Sequence, residues 1–592
     1  MGPNTIIGRD WLIGFLLFLG TFVVLGLAQR NLGVMRDEAA YFQAGERYWG
    51  WFSELEENLS KGKLGESFSK QNITKYWAQN NEHPVLFKTL FGVSWRLFHD
   101  CTKRTRDFHL HREKEQHKTL GLLSEISSFR LPGWLFTALA VMVIYFFGVR
   151  IESRMAGLAA ALLYITMPRT FFHGQLACFD SGVTTFWLLV VYGYFRSLEK
   201  ARWGIYLGVL FGLALAAKHN AWFIPFLLLL HYLYVIWPDL SLRPFRPFRI
   251  PLGFVAMGIL GPLVFWAHWP WLWFDTINHL KFYFGFHLHH SFYNMEYLGR
   301  NWGDPPLPIS YPFGMMLFTA PTIMLVLALI GVGIYFRRPL NKITSRFFGA
   351  RPMPYADPFR FPARRSWLRP GLGLNPRIGT LLFMNAIFPM VLIALPWTPI
   401  FGGTKHFMTG YPFFALLAGI GVSRAACVLR DRRIFARSAL LVLCVLVALP
   451  GALNTYLTHP FGLSQYNALA GGPAGGADLG LNRQFWGYAP RQLLAWMNDT
   501  FEDGAQVYFH DTNYHSYIAY IRDGLLRPDI KYAGMELPAI RNSTYALVVH
   551  ELHFNKYDYW IWDTYGTVRP IKVLTLDGVP LVSVYERKSG KR

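Results

Sequence analysis

Apolar residues recur along this chain in runs of about 13 to 24 positions, separated by mostly short polar connections. A helix of ~17–25 apolar residues is long enough to cross ~30 Å of hydrocarbon. The pattern therefore predicts about eleven membrane-spanning helices, of which the third and the fifth are short. The predicted helices are Trp11–Ala28, Leu131–Val149, Met155–Met167, Phe179–Phe195, Gly204–Ala217, Ala221–Trp237, Leu252–Trp269, Phe313–Phe336, Gly379–Leu395, Phe407–Val422 and Ser438–Leu453.

Basic residues concentrate in alternate connections between these runs. Because Lys and Arg accumulate in cytoplasmic loops, all five basic connections are predicted to be cytoplasmic. The N-terminus is then cytoplasmic and the region after Leu453 is outside, a topology that suits the bacterial inner membrane and equally an endoplasmic reticulum membrane. The basic connections contain Arg150/Arg154, Arg196/Lys200/Arg202, Arg243/Arg246/Arg249, the stretch Arg337 to Arg377, and the stretch Arg424 to Arg437.

Three regions on the outer face are longer than simple connectors. Residues 36–130 form the first, in which the charged stretch Lys103–Lys118 is predicted to be solvated. Residues 270–312 form the second, and residues 454–592 form the third. This tail alternates strand-like and helical runs, which predicts a small α/β domain. The predicted fold class is a mainly α polytopic membrane protein, with residues 1–453 as the transmembrane domain and 454–592 as an extracytoplasmic domain.

Composition supports the membrane interpretation and excludes two other classes. Of 592 residues, 52% are hydrophobic and 16% are charged, against about 25% charged in soluble domains. The net charge of +22 lies mostly in the short connections, so it does not indicate nucleic-acid binding. Four scattered cysteines cannot form a disulfide framework.

Acidic residues stand at the outer ends of two predicted spans. Met35-Arg36-Asp37-Glu38 follows the first span, and Asp180 opens the fourth. An interfacial stop and a helix cap would account for these acids without chemistry. A carboxylate held so close to hydrocarbon is nonetheless costly, and it is by default a candidate functional group.

Basic and potentially basic residues lie on the same predicted face. His83-Pro84 belongs to the first long loop, Lys218 follows the fifth span, and Gly403-Thr404-Lys405-His406 precedes the tenth. Helix starts and snorkelling anchors explain such residues in many membrane proteins. A shared anion site is the alternative.

Together these motifs resemble the C-type superfamily of membrane glycosyltransferases. The likeness is closest to the bacterial branch related to dolichyl-phosphate-mannose-protein mannosyltransferases and lipid A aminoarabinose transferases. Leu215-Ala216-Ala217-Lys218 resembles a Leu-Thr-Lys segment of that branch, and Gly403–Phe407 resembles its late basic motif. The chain departs from the aminoarabinose transferases at His83-Pro84-Val85, where they carry Lys-Pro-Pro, and it has no room for a β-trefoil insert.

The resemblance implies transfer of a hexosyl or pentosyl group from a polyprenyl-phosphate donor to a hydroxyl of a lipid, glycan or protein. Asp37 is then the expected general base, with inversion at the anomeric carbon. Glu38 and Asp180 are expected to bind sugar or acceptor hydroxyls, or to share the base role. His83, Lys218, Lys405 and His406 are expected to hold the phosphate, with Arg300 as a weaker candidate.

No cofactor is required by this chemistry, although the three acids are compatible with a divalent cation. His287, His289 and His290 have a spacing that suits a metal, but a wet aromatic loop explains them better, since no acidic or cysteine partner lies at a ligand-like interval. Two other function classes stay open: a transporter or flippase of lipid-linked sugars, and a non-catalytic assembly factor or receptor whose tail binds a partner. A transporter predicts ionisable residues midway along its spans.

Overall fold

The computed structural model describes residues 6–99, 119–237, 250–348, 377–400, 402–431 and 439–588. The predicted solvated stretch Lys103–Lys118, the Arg243/Arg246/Arg249 connection and most of the connection before Arg377 lie outside these residues. The helices are α1 (Gly8–Ala28), α2 (Arg36–Ser60), α3 (Leu64–Ser67), α4 (Lys70–Trp77), α5 (Leu86–Phe98), α6 (Glu125–Ile151), α7 (Arg154–Ile165), α8 (Pro168–His173), α9 (Phe179–Glu199), α10 (Trp203–Ala217), α11 (Ile224–Ile236), α12 (Leu252–Ala267), α13 (Thr276–Leu288), α14 (Tyr311–Thr319), α15 (Thr322–Phe348), α16 (Ile378–Ala394), α17 (Tyr411–Asp431), α18 (Ala439–Thr458), α19 (Gly472–Asp478), α20 (Leu494–Thr500), α21 (Tyr514–Arg522) and α22 (Asn555–Tyr565).

Every predicted span coincides with helix, so the mainly α fold is confirmed. Within the described residues, four helical stretches are long and apolar enough to cross a membrane, and five shorter apolar helices accompany them. These helices indicate an integral membrane protein, while the number of crossings stays a prediction. The four long stretches are Gly8–Asn31, Glu125–Ile151, His219–Ile236 and Met408–Leu429.

The eighth predicted span is not one straight helix. The chain bends by 116° between α14 and α15. Pro321 lies at this break, and a proline disfavours helical conformation in the residue before it. The predicted span Phe313–Phe336 is therefore a bent pair of helices.

The C-terminal region contains a five-stranded mixed sheet, which confirms the predicted small α/β domain. Its strands are β3 (Gln506–Phe509), β4 (Lys531–Gly534), β5 (Tyr545–Val549), β6 (Lys572–Leu576) and β7 (Val579–Glu586). Their order is β4-β3-β5-β7-β6. β3 pairs in parallel with β4 and β5, and β7 pairs antiparallel with β5 and β6.

Small residues let the central helices approach closely. A Cβ atom on Gly148 of α6 would lie 2.4 Å from the Cα of Gly157 in α7. Such contacts favour helix association in lipid, where no hydrophobic force drives apolar faces together. The helices α6 and α7 therefore pack against each other as a tight pair in the core.

Two ion pairs join residues that the topology prediction assigns to the cytoplasmic face. Arg154 Nε lies 2.7 Å from Asp10 Oδ1, and Arg424 Nε lies 3.0 Å from Glu152 Oε1. Positions far apart in the sequence thus meet at one end of the bundle. The predicted alternation of connections between the two faces requires these residues to lie at the same end of the bundle.

The C-terminal domain is fastened to the starts of α2 and α6. Asp523, which directly follows α21, accepts hydrogen bonds from the backbone N–H of Glu125 at 2.7 Å and from the Ser124 hydroxyl at 2.8 Å. Its carboxylate therefore caps the N-terminus of α6, where unpaired N–H groups need an acceptor. The Val34 N–H donates to the Tyr520 hydroxyl at 2.8 Å, just before α2 begins.

Candidate active site

A cavity of about 520 Å³ lies where the start of α2 meets the C-terminal domain. Ligand sites in proteins commonly enclose ~300–1,000 Å³. Polar groups come from α2, from the two long loops, from the turn before α17 and from the C-terminal domain. The described residues that line it include Arg36, Asp37, Tyr41, Glu82, His83, His290, Asn294, Gly403, Lys405, Asn482, Trp486, Glu551 and His553.

Asp37 lies in the first turn of α2 and its side chain is 35% exposed. A carboxylate is favoured there because the N-terminus of a helix carries partial positive charge. Lys405 Nζ lies 3.1 Å from Asp37 Oδ2, and the lysine is 6% exposed. The two residues form an ion pair on the wall of the cavity, where a bound ligand can contact it.

A turn of two left-handed glycines holds Lys405 in place. Gly402 and Gly403 have φ of 78° and 63°, a conformation that other residues adopt at a cost. The ammonium group of Lys405 lies 4.1 Å from the centre of the Trp486 ring in the C-terminal domain. A cation over an aromatic face is stabilised electrostatically. Lys405 is thereby fixed from three sides.

Glu38 is fully buried and points away from the cavity. Its carboxylate receives two hydrogen bonds from Arg130, at 2.8 and 2.7 Å, and one from the Ala177 N–H at 2.8 Å. The Met35 N–H donates to it at 3.1 Å, which caps α2. With its acceptor capacity occupied, Glu38 holds the start of α2 against α6 and the α8–α9 connection. The expected contact with sugar or acceptor hydroxyls does not fit this geometry.

Asp180 and Lys218 form a second acid–base pair. Lys218 Nζ lies 2.6 Å from Asp180 Oδ1, and the side chains are 11% and 6% exposed respectively. Neither residue is among the described residues that line the cavity. Tyr41 connects this pair to Asp37: burial raises the pKa of Tyr41 well above its usual value, and the nearby carboxylates of Asp37 and Asp180 raise it further.

His83 lies in the cavity wall among positive charges. Burial lowers the pKa of His83 well below its usual value, and Lys88, Lys218 and Lys405 lower it further. A neutral imidazole at this position can donate or accept one hydrogen bond, but it does not supply positive charge. Of the predicted phosphate-binding residues, His83 and Lys405 line the cavity and Lys218 lies near His83, so the positive charge here comes from the lysines.

Lys88 was not among the predicted residues. It is fully buried and donates to the carbonyl oxygens of Asn80 and His83 at 2.5 and 2.9 Å. Burial lowers its pKa to about 7. Lys88 fixes the turn that carries His83, and its signal in the sequence is weak because a lysine on an amphipathic helix is usually solvated.

Arg300 and His406 are placed differently from the other predicted phosphate-binding residues. Arg300 belongs to the two-stranded hairpin of β1 (Met295–Tyr297) and β2 (Arg300–Trp302), where its guanidinium stacks over Trp302 at 4.3 Å. His406 follows Lys405 but is not among the described residues that line the cavity. Their expected phosphate contacts therefore have less support than that of Lys405.

The three loop histidines do not converge. The His287 ring stacks on His219 with centroids 3.9 Å apart, and His290 lines the cavity. Among the described residues, the group whose ligand atoms approach one another is Glu296, Glu551 and His553. No sequence motif indicates this group, because 255 positions separate Glu296 from Glu551.

Arg169 is a further buried cation that the motifs did not indicate. It belongs to α8, is 1% exposed, and its Nε and Nη2 atoms have no hydrogen-bond partner in the described structure. A Cβ placed on Gly403 would lie 3.9 Å from Arg169 Nη1. The guanidinium thus lies directly behind the glycine turn of the cavity wall.

Fold and site together define a polytopic membrane protein with a charged cavity beside the bundle. Residues 122–271 match the family model of dolichyl-phosphate-mannose-protein mannosyltransferases, which confirms the resemblance over that segment. This segment contains Arg130, Asp180 and Lys218. No curated protein matches the chain.

Three solved structures show a distant likeness. ArnT from Cupriavidus metallidurans bound to undecaprenyl phosphate is 13% identical, with 98% of each chain covered and a TM-score of 0.45. The Archaeoglobus fulgidus oligosaccharyltransferase AglB, in complex with an inhibitory peptide and a dolichol-phosphate, is 12% identical over 93% of this chain and 71% of that one, with a TM-score of 0.41. The Archaeoglobus fulgidus oligosaccharyltransferase in complex with zinc and sulfate is 13% identical over 93% and 70%, with a TM-score of 0.40.

Proposed function

We propose that this chain is a membrane glycosyltransferase that moves a sugar from a polyprenyl-phosphate donor to an acceptor hydroxyl on the extracytoplasmic side. The observation that carries the proposal is the Asp37–Lys405 pair at the cavity wall. Glycosyl transfer needs a base for the acceptor proton and a cation for the departing phosphate. The pair supplies one of each within one site, and the family match over residues 122–271 supports the same chemistry.

The acceptor oxygen attacks the anomeric carbon as its proton passes to Asp37. The bond between that carbon and the phosphate oxygen breaks, and the electron pair leaves with the polyprenyl phosphate. Because attack comes from the face opposite the leaving group, the anomeric configuration inverts. Lys405 stabilises the charge that develops on the phosphate, and a buried cation does so more strongly than one in water.

Glu38 and Asp180 take positioning roles in this proposal. Glu38 fixes the helix that carries Asp37 through its bonds to Arg130. Asp180 holds Lys218, whose charge adds to the positive field around His83. Arg169 contributes a further positive charge behind Gly403. The phosphate is thus attracted by several cations that are held in place before it arrives.

A reconstitution experiment tests the proposal against a flippase. The protein is placed in proteoliposomes that contain a polyprenyl-phosphate sugar labelled in the sugar, with membrane extract as acceptor. The proposal predicts label in a product that is no longer attached to the polyprenyl lipid. Label that crosses the bilayer while it stays on the polyprenyl lipid would instead establish a transporter.

A further inference from the structure

A group of acidic side chains and one histidine lies where the β1–β2 hairpin meets the C-terminal domain. Glu296 belongs to β1, whereas Glu551 and His553 follow β5. The two glutamates are 4% and 7% exposed, and the histidine is 26% exposed at the cavity wall. None of the three residues takes part in the proposed transfer step.

Acidic side chains outnumber basic ones around this group. Asp511 lies beside the group and is 3% exposed, so three buried carboxylates meet here. Arg36 pairs with Asp511 at 2.8 Å. Buried charges are costly unless they are paired or coordinate a metal.

Two buried carboxylate oxygens in or beside this group lack a hydrogen-bond donor in the described part of the chain. Glu551 Oε1 is buried and has no hydrogen-bond donor among the described residues, and the same holds for Asp511 Oδ2. Buried carboxylate oxygens normally accept a hydrogen bond, so each such atom calls for an explanation. A bound cation would satisfy Glu551 Oε1 and offset the excess negative charge.

The spacing fits a transition-metal ion. His553 Nδ1 lies 3.3 Å from Glu296 Oε1 and 3.7 Å from Glu551 Oε2, and the ligand atoms of the group all lie within 4.8 Å of one another. Ligands at about 2.1 Å from a tetrahedral zinc ion are ~3.4 Å apart. One imidazole and two carboxylates suit zinc or manganese better than calcium, which takes six to eight oxygen ligands.

We propose that Glu296, Glu551 and His553 bind one divalent transition-metal ion of the Zn²⁺ or Mn²⁺ class. The ion cross-links the outer-loop hairpin to the C-terminal domain and stiffens one wall of the cavity. Its effect also reaches Asp37, because Asp511 beside the ion holds Arg36, the residue that precedes Asp37. The site is independent of the sugar-transfer proposal, since it rests on different residues.

Metal content after stripping and reloading tests this site. The protein is purified with a histidine-free tag, treated with a chelator, loaded with Zn²⁺ or Mn²⁺ and analysed by elemental mass spectrometry. We expect wild type to hold one more ion per chain than Glu551→Gln does. We also expect loading to raise the thermal midpoint of wild type and to leave that of Glu551→Gln unchanged.

A matched control uses another histidine–carboxylate pair of the same domain. His550 Nδ1 lies 3.8 Å from Asp558 Oδ2, and Asp558→Asn is expected to bind the ion as wild type does. Equal metal content in wild type and Glu551→Gln would overturn the proposal and favour a shared proton between the buried acids. If Glu551→Gln does not fold, wild type and Glu296→Gln are titrated with Co²⁺ instead. The visible absorption of a histidine–carboxylate cobalt site is expected in wild type and is expected to be lost or shifted in Glu296→Gln. Identical spectra of the two proteins would overturn the proposed site.

Discussion

Asp37 and Lys405 are 368 positions apart in the sequence, and Lys405 Nζ lies 3.1 Å from Asp37 Oδ2 on the wall of one cavity. Asp37 lies in the first turn of α2, after the first span, and Lys405 lies on a glycine turn before α17. Their meeting joins the first outer loop to the late outer loop. The account of function depends on this contact.

Replacing Lys405 with methionine removes the cation nearest the base. We expect kcat for sugar transfer to fall by about 100-fold or more, the size of effect seen when one preorganised electrostatic group is lost. Lys405→Arg keeps the charge and is expected to retain more activity than Lys405→Met. Steady-state transfer kinetics with a defined donor measure both.

Lys75→Met is the matched control for Lys405. Lys75 also pairs with a carboxylate, Glu54, but it is exposed on the surface of the first loop. Exposed pairs contribute little to stability, so this variant is expected to behave like wild type. If Lys75→Met and Lys405→Met lost activity equally, the special role of Lys405 would be refuted.

Glu38→Gln is expected to affect stability first. The substitution leaves the buried Arg130 guanidinium without its anionic partner, which costs about 3–5 kcal/mol in other buried pairs. Asp37→Asn changes an adjacent, partly exposed residue and is expected to leave the thermal midpoint close to that of wild type. A midpoint for Glu38→Gln equal to that of wild type in detergent would contradict the positioning role.

A double-mutant cycle separates structure from function at Asp180 and Lys218. Asp180→Asn leaves a buried ammonium group unpaired and is expected to lower both stability and transfer. Adding Lys218→Met removes the unpaired charge, so stability is expected to return while transfer does not, because one cation near His83 is lost. Recovery of activity in the double variant would show that the pair is purely structural.

The interface between the C-terminal domain and α6 should titrate near pH 6. Burial raises the pKa of Asp523 to about 6, from an ordinary value of 3.8. The folded state therefore binds more protons than the unfolded state between these values, and the stability contributed by this group is lost as pH rises from about 4 to 6. Asp523→Asn is expected to flatten the thermal midpoint against pH in that window. An unchanged profile in the variant would exclude Asp523 as the titrating group.

Local patterns in the sequence were sufficient to predict the helices and the α/β tail. Apolar runs such as Leu131–Val149 predict helix because membrane length and burial act on contiguous residues. The break at Pro321 was not predicted, since prolines also lie inside the helices α6, α12, α16 and α18. The number of crossings stays a prediction, because several apolar helices are too short to cross a bilayer on their own.

The part of the candidate site that could be predicted is the part formed by residues of the sequence motifs. Asp37, His83 and Lys405 line the cavity, and their roles in transfer stay predictions. The residues around them were not predictable, since Arg130, Trp486 and Glu551 lie in no shared motif and reach this region through long-range packing. Glu38 shows the limit most clearly: its neighbour Asp37 faces the cavity, while one residue further along the helix the carboxylate is buried.

The most direct test of the central claim is a transfer assay on purified wild type, Asp37→Asn and the exposed control Asp304→Asn, with a labelled polyprenyl-phosphate sugar and membrane extract as acceptor. All three proteins are first shown to have similar thermal midpoints and to bind the donor. The account predicts that label moves to product in wild type and in Asp304→Asn, and that transfer is nearly lost in Asp37→Asn. Equal transfer by Asp37→Asn and wild type would contradict the assignment of Asp37 as the base.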